Sequence, residues 1–320
     1  MMISPKRLYQ HCYGTYAIAA INVFTLEQVL GVFRAAHVCE SPVIIQTTPA
    51  ARDYATPHVL LSMIHSAAKN YPEVVYSVHL DHGNEAHISS ALASKTYTSV
   101  MIDASYNPLT ENIARTKAVA SAAHAKGVVV EAELGLLSGI EDDMVVDRSY
   151  ASFTNPEEAA YFVQETQCDS LAVAVGTSHG VYKFKGDQGI RFDILSAIQQ
   201  QLPNFPLVLH GGSSAPREEI VRINQTGGNL SVGSRGVSNE EISRAIPLGI
   251  CKVNVATDLR VLWTRVHREF FADNPTDFDP TVPGRLYIEA LEQLCIDKFT
   301  QLGSAGKAAY FRSNNTTYSI

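Results

Sequence analysis

The chain has 320 residues, and its composition excludes several classes of protein. Apolar residues make up 46% and charged residues 18% of the sequence, which is typical of a globular protein with a large core and not of a disordered one. The formal net charge is −7 and the pI is about 5.9. Both values argue against a nucleic-acid partner, because binding nucleic acid requires a basic surface.

Cysteine usage and hydropathy indicate a reduced, cytoplasmic setting. The five cysteines are scattered and odd in number, and no two form a Cys-x-x-Cys pair, so we expect free thiols. We see no apolar run as long as a signal-peptide core or a membrane span. We therefore expect a cytoplasmic protein without a membrane partner.

Apolar, β-branched segments alternate with amphipathic segments along the chain. Strands are predicted at 17–24, 42–48, 74–81, 98–104, 128–134, 170–177, 206–211 and 251–256. Helices are predicted at 25–39, 57–70, 84–94, 108–126, 155–166, 191–201, 216–226, 239–248, 259–273 and 284–302.

This alternation predicts an α/β fold with a parallel sheet, and eight units fit a closed (β/α)₈ TIM barrel. A doubly wound open sheet is the alternative, but no Gly-x-Gly-x-x-Gly motif follows the first strand. We expect one barrel domain over 1–320 with a C-terminal helical extension near 284–302. The long acidic segment 135–154, after the fifth strand, is predicted to be a mobile lid.

Polar residues follow the predicted strands at their C-terminal ends, where TIM-barrel enzymes place their catalytic groups. His82, His179 and His210 follow strands three, six and seven. Three imidazoles and an open fourth position are typical of a catalytic Zn²⁺ site. The alternative is a metal-free barrel with structural histidines. Other polar residues at strand ends are Asn22, Thr48, Asp81, Asp103, Glu131, Glu133, Ser178, Asn254, Thr257 and Asp258.

Two glycine-bearing turns, 176–180 and 210–214, place small residues beside two of these histidines. Backbone N–H groups there can approach a phosphate without a Cβ in the way. Residues 254–258 follow the last strand, where barrels commonly bind phosphate, and Lys183 can neutralise the same anion. Tight turns that bind no ligand have the same glycine content, so the turns alone decide nothing.

Five motifs resemble, in order, those of class II fructose-bisphosphate aldolases: His79–Gly83, Glu131–Gly135, Gly176–Lys183, Leu209–Ser213 and Lys252–Asp258. The resemblance extends from about Tyr13 to Lys307. It implies a (β/α)₈ barrel that uses Zn²⁺ to cleave fructose 1,6-bisphosphate reversibly into dihydroxyacetone phosphate and glyceraldehyde 3-phosphate, in glycolysis and gluconeogenesis. We also expect a homo-oligomer, either a dimer or a tetramer.

The resemblance also assigns roles to residues. It implies that His82, His179 and His210 bind the metal. It also implies that Asp81 is the general acid/base and that Glu141 exchanges the proton on dihydroxyacetone phosphate. Asp142 and Asp143 are alternatives to Glu141 in the same lid. Asp103 and Glu133 match positions that can hold a second or displaced divalent metal, and a monovalent cation is another expected cofactor. The substrate-binding positions are Asn22, Thr48, Gly180, Lys183, Gly211, Gly212, Ser213, Asn254, Val255, Ala256, Thr257 and Asp258.

Two departures from the family pattern bear on the substrate. Ala256 stands where many fructose enzymes have an acidic or polar residue, and the tagatose-bisphosphate branch tolerates alanine there. Thr281 follows Asp279-Pro280 where the family frequently has arginine, so an arginine for the distal phosphate would come from elsewhere, such as Arg285. Retention of 181–184 and the long segment 224–240 favour fructose over tagatose.

Chemistry also separates the alternative functions. Cleavage between C3 and C4 leaves a carbanion, and no lysine is placed for Schiff-base chemistry, so a metal is the expected electron sink. A non-enzymatic sugar-phosphate sensor would lose a metal histidine or Asp81, and all of them are present. A metal-dependent hydrolase would not need two phosphate-binding turns.

Overall fold

Eight parallel strands close into a barrel, and helices cover its outside. The computed structural model describes residues 1–137, 152–177, 189–213, 216–231 and 237–314, and only the backbone at 139–141 and 144–146. The strands are β1 (Ile18–Asn22), β2 (Val43–Thr47), β3 (Tyr76–Gly83), β4 (Ser99–Ile102), β5 (Val129–Leu134), β6 (Gly139–Glu141), β7 (Met144–Val146), β8 (Ser170–Val173), β9 (Leu207–Leu209) and β10 (Ile250–Val255). The helices are α1 (Pro5–Cys12), α2 (Leu26–Val38), α3 (Pro49–Ala55), α4 (Pro57–Asn70), α5 (Glu85–Ser94), α6 (Leu109–His124), α7 (Pro156–Thr166), α8 (Phe192–Gln201), α9 (Arg217–Gln225), α10 (Asn239–Ala245), α11 (Thr257–Asp273), α12 (Thr281–Gln301) and α13 (Ala308–Ser313).

The strand order β1-β2-β3-β4-β5-β8-β9-β10 returns to β1, so this sheet has no edge. In the closing pair, Ile18 lies opposite Lys252 and Ile21 opposite Val255. The predicted (β/α)₈ barrel is therefore confirmed, and the alternative of an open doubly wound sheet is wrong. The barrel strands are buried on both faces, which is why they read as mainly apolar runs in the sequence.

The C-terminal extension is helix α12, which packs along α2. A Cβ at Gly31 of α2 would lie 3.0 to 3.2 Å from side-chain atoms of Leu291 on α12. Glycine at this position therefore lets the two helices approach closely. Within the described residues, no helix has both the length and the apolar character needed to cross a bilayer.

Three short helices, α1, α3 and α13, were not predicted. Each has eight residues or fewer, which is too few turns for a 3.6-residue apolar period to stand out. Helix α1 buries Leu8, Tyr9 and Cys12 against β1 and β10. The predicted lid segment also contains a two-stranded antiparallel hairpin, β6–β7, which the sequence pattern did not indicate.

Candidate active site

Asp81 and His82 lie where β3 departs from regular pairing. Leu80 and Gly83 of β3 both pair with residues of β4, and between these two pairs β3 has one residue more than β4. The extra residue makes a β-bulge. His82 adopts a left-handed φ of 47° there. A regular strand would send neighbouring side chains to opposite faces. The bulge instead brings ligand atoms of Asp81, His82 and His210 within 4.8 Å of one another.

Two asparagines hold the fully buried carboxylate of Asp81. Nδ2 of Asn22 donates to its Oδ2 at 2.9 Å, and Nδ2 of Asn254 donates to its Oδ1 at 3.2 Å. Nε2 of Gln46 donates to Oδ1 of Asn22 at 2.9 Å, which fixes the orientation of that amide. Each carboxylate oxygen has two lone pairs, so the carboxylate can still accept a proton from a substrate hydroxyl.

The His82 ring is held by a carboxylate on the neighbouring strand's end. Nδ1 of His82 lies 3.3 Å from Oδ2 of Asp103, whose Oδ1 accepts from the N–H of Ser105 at 3.0 Å. Burial alone would raise the pKa of Asp103, but the hydrogen bonds from His82 and Ser105 lower it below its ordinary value. Asp103 is therefore ionised at neutral pH and orients the imidazole beside it.

His210 is fully buried between the two glutamates of β5. Its Nε2 lies 3.1 Å from Oε1 of Glu131, and its Nδ1 lies 3.2 Å from Oε2 of Glu133. Burial disfavours the charged imidazole, but the two glutamates outweigh it and raise the pKa of His210 to about 9. The ring centroids of His82 and His210 are 4.9 Å apart, so both imidazoles face one small volume.

Glu131 is neutralised by a lysine inside the barrel. Nζ of Lys252 lies 2.9 and 2.8 Å from the two carboxylate oxygens. Burial alone would raise the pKa of Glu131, but Lys252 and His210 hold it below its usual range. His79, which hydrogen-bonds Ser99 at 2.7 Å, has its pKa lowered to about 3 by burial and by the same lysine. The negative charge of Glu131 is therefore matched by Lys252 inside the barrel.

The carboxylates nearer His82 have a different balance of charge. Oε2 of Glu133 is buried and lies 3.2 Å from Nδ1 of His210, and burial together with nearby Asp103 raises the pKa of Glu133. Ligand atoms of His82, Asp103 and Glu133 lie within 4.8 Å of one another. Imidazoles and carboxylates that converge in this way suit a divalent cation, which would also relieve the repulsion between Asp103 and Glu133. The residues present therefore fit a metal centre.

The segments after β9 and β10 meet at the same end of the barrel. Oγ of Ser213 accepts from the N–H of Ala256 at 3.3 Å. A Cβ at Gly212 would lie 2.5 Å from a side-chain atom of β10, and Gly211 has a φ of 65°, so both positions favour glycine. Helix α11 begins at Thr257, which places the positive end of its dipole here. This junction is suited to a phosphate.

Other residues predicted for the site have further roles or lie elsewhere. Oγ1 of Thr48 accepts from the N–H of Ala51 at 3.2 Å and caps α3. Asp258 is buried and lies 3.0 Å from Nζ of Lys298, and Val255 is the last residue of β10. His179, Gly180 and Lys183 lie outside the described residues, and only the backbone of Glu141 is described, paired with Met144.

Gln46, His79 and Lys252 belong to the site's hydrogen-bond network but were not predicted as site residues. Each is a polar side chain inside a buried strand. Such a side chain is buried only when it has partners. The interruption of an apolar strand run was the signal that could have identified all three.

Comparison with known proteins identifies the family. The family model for class II fructose-bisphosphate aldolase matches residues 4–307. The chain belongs to the class II fructose-bisphosphate aldolase family. It is 40% identical over 302 residues to the fructose-bisphosphate aldolase of Giardia intestinalis, which covers 93% of this chain and 91% of that protein. This family assignment makes the protein an aldolase, a carbon–carbon lyase.

Two further relatives support this family assignment. The fructose-bisphosphate aldolase of Thermus caldophilus is 41% identical over 297 residues, or 92% of this chain and 95% of that protein. The crystal structure of the YdjI aldolase from Escherichia coli K12 superposes with a TM-score of 0.76 at 29% identity, and covers 96% of this aldolase and all of that chain. The barrel and nearly the full length are therefore shared with known aldolases.

Proposed function

We propose that this aldolase cleaves fructose 1,6-bisphosphate reversibly into dihydroxyacetone phosphate and glyceraldehyde 3-phosphate with a bound Zn²⁺. The observation that carries the proposal is the convergence of Asp81, His82 and His210 at the C-terminal mouth of the barrel. The curated relatives are named fructose-bisphosphate aldolases, which supports the choice of substrate. The phosphate-suited junction of Ser213 and Ala256, beside the proposed metal site, supports a phosphorylated ketose rather than a hydrolase substrate.

The metal would be held by His82 and His210, with His179 as the third ligand implied by the family resemblance. Asp103 and Glu133 would hold a second or displaced divalent metal. When bound, the metal supplies Lewis-acid stabilisation of the negative charge that develops on the substrate ketone. Lys252 does not replace it in a Schiff base, because its ammonium is fully buried and bound to both oxygens of Glu131.

Asp81 would take the proton of the C4 hydroxyl when the C3–C4 bond breaks. Its carboxylate already accepts from Asn22 and Asn254, and neutral amide donors orient an ionised carboxylate without neutralising it. The carboxylate is therefore fixed in place before the substrate binds. In the direction of synthesis, the same oxygen returns the proton to the new hydroxyl.

The substrate phosphate on the dihydroxyacetone side would bind where Ser213 meets Ala256 and α11 begins. Backbone N–H groups and the helix N-terminus supply positive potential there, which a protein with a net charge of −7 does not supply through its overall charge. Gly180 and Lys183, in the segment after β8, the sixth strand of the barrel, would add contacts to the phosphate. Anchoring the phosphate holds the reacting carbons against Asp81 and the metal.

An assay of aldol cleavage on two sugars tests this proposal. Purified enzyme loaded with Zn²⁺ is expected to release dihydroxyacetone phosphate from fructose 1,6-bisphosphate with a higher kcat/KM than from tagatose 1,6-bisphosphate, which differs only at C4. A preference for tagatose would move the substrate assignment to that branch. Absence of cleavage of either sugar would favour a sugar-phosphate sensor.

Three further features stay predictions: a single domain over 1–320, a dimer or tetramer, and a cytoplasmic location. The closed barrel over β1 to β10 supports the first.

Arg285, exposed in the second turn of α12, is a candidate for a contact with the distal phosphate across a subunit interface. We propose the lid at 135–154 as the segment that carries the second catalytic carboxylate.

Glu141→Ala is expected to slow detritiation of dihydroxyacetone phosphate by about 10²- to 10⁴-fold, the usual contribution of a general acid/base, with little loss of binding. The proton on C3 needs a base other than Asp81, because Asp81 serves the C4 hydroxyl. Asp142→Ala and Asp143→Ala are the matched variants. A loss at one of those two instead would move the role to that residue, and no loss in any of the three would leave the lid without a catalytic carboxylate.

Metal uptake is expected to depend on pH through His210. Its pKa is about 9 in the metal-free protein, and a metal binds the neutral imidazole, so each binding event releases this proton. We expect Zn²⁺ affinity to rise about tenfold per pH unit from pH 7 and to level off above pH 9. Competition with a chromophoric chelator at several pH values measures it. A flat profile would show that His210 is already neutral at pH 7.

A further inference from the structure

A fully buried lysine stands in the centre of this barrel. Lys252 is on β10, two residues before Asn254, and its side chain is inaccessible to solvent. Its Nζ lies 2.9 and 2.8 Å from the two oxygens of Glu131 on β5. Burying two charges costs several kcal/mol per ion, so the pair is a weak source of stability and calls for another explanation.

The carboxylate of Glu131 also contacts a proposed metal ligand. Oε1 of Glu131 lies 3.1 Å from Nε2 of His210, and Oε2 lies 3.8 Å from Nε2 of His79. With Nε2 of His210 held by Glu131, the Nδ1 edge of the ring is turned toward Glu133, at 3.2 Å. The ring therefore presents one defined nitrogen to the volume that it shares with His82.

We propose that Lys252 and Glu131 act as positioning residues that fix the ring of His210 for metal binding. Lys252 contacts both oxygens and thereby sets the plane of the carboxylate, which receives the Nε2–H of His210. A carboxylate on the outer nitrogen of a metal-ligating histidine fixes its tautomer and makes the ligand more basic. This inference rests on the proposed metal site and concerns residues that do not touch the substrate.

The alternative explanation is that the ion pair of Lys252 and Glu131 only fills space inside the barrel. Two facts distinguish these explanations. A purely structural ion pair can be replaced by neutral groups of similar volume without loss, and often with a gain in stability. A positioning pair cannot, because the charge on the carboxylate that faces His210 is part of its effect.

The barrel offers a neutral replacement with satisfied hydrogen bonds. In Glu131→Gln combined with Lys252→Met, the amide oxygen can accept from His210, and the amide nitrogen can donate to Nε2 of His79. In the wild-type protein, Nε2 of His79 is buried without a hydrogen-bond partner among the described residues. The double variant is therefore expected to fold, even where Lys252→Met alone leaves a buried charge unmatched and unfolds.

The experiment measures Zn²⁺ affinity of the full-length protein by chelator competition, the visible spectrum of the Co²⁺ form, and thermal unfolding. The double variant is expected to keep the wild-type fold but bind Zn²⁺ about 10- to 100-fold more weakly, the usual effect of losing such a partner, with a changed Co²⁺ spectrum. Arg265→Met is the control, because it breaks the ion pairs of Arg265 with Glu219 on α9 and with Glu269 on α11, at 2.9 Å, on the helices outside the barrel.

Each outcome decides between the explanations. Wild-type affinity and an unchanged Co²⁺ spectrum in the double variant would overturn the positioning role. An equal loss of affinity in Arg265→Met would also overturn it, since the effect would then be one of general stability. His82→Ala tests the metal site itself. If that variant bound Zn²⁺ like the wild type, the proposed function would be wrong, whereas weak binding there with normal binding in the double variant would refute only the positioning role.

Discussion

Exhaustive chelation of divalent metal is expected to abolish aldol cleavage, and added Zn²⁺ or Co²⁺ is expected to restore it. The electron pair left on C3 needs a sink, and Lys252 is bound to Glu131 inside the barrel. Lewis-acid stabilisation is worth several kcal/mol, and each 1.36 kcal/mol is tenfold in rate. We therefore expect kcat to fall by about 10³-fold or more.

Variants and a trapping experiment complete this test. His82→Ala is expected to lose both metal and activity. His124→Ala should lose neither, because that ring lies at the end of α6, 2.8 Å from Asp169 and exposed to solvent. Activity that survives complete metal removal would show that the metal is not the electron sink, and a covalent adduct trapped with borohydride would identify a lysine in its place.

The barrel was predictable because its physical cause is local. Parallel strands with helices on their outer face are buried on both sides, so they appear in the sequence as short apolar runs between amphipathic segments. All eight barrel strands lie within or next to the predicted ranges. Short helices such as α1 and α3 were missed, because they lie outside the regular alternation of one strand with one helix and are too short to stand out by themselves.

The site was only partly predictable, because its geometry depends on backbone detail. Asp81 and His82 could be singled out from their position at a strand end. Whether they point to one site depends on the bulge in β3 and the left-handed φ of His82. Neither follows from residue type, since positive φ is uncommon for non-glycine residues as a whole, and histidine is only enriched there relative to most others.

The sequence also did not indicate which charged residues pair with one another inside the barrel. Glu131 and Glu133 are two residues apart on one strand and look equivalent, yet Lys252 lowers the pKa of the first, while burial and Asp103 raise that of the second. The difference arises from which strand lies across the barrel. Only the closed strand order brings β10 close to β5 in the interior.

Asp81→Ala is expected to lower kcat for aldol cleavage by about 10²- to 10⁴-fold, with metal content and binding of dihydroxyacetone phosphate nearly unchanged. The carboxylate is the group that accepts the C4 proton, and it is oriented by Asn22 and Asn254. Asp81→Asn is a useful second variant. Its amide would turn an NH₂ group toward one of the two asparagine donors, so it should lose activity and some stability together.

Proton exchange separates this residue from the lid carboxylate. Dihydroxyacetone phosphate has no C4 hydroxyl to deprotonate, so Asp81→Ala should retain detritiation while it loses cleavage, whereas Glu141→Ala should lose detritiation. Asn22→Ala is the matched control for the hydrogen bonds, because it removes the 2.9 Å donor but keeps the base, and it should cost less than Asp81→Ala. If Asp81→Ala instead loses its metal and unfolds, or loses detritiation as fully as cleavage, then Asp81 supports the metal site and another group accepts the C4 proton.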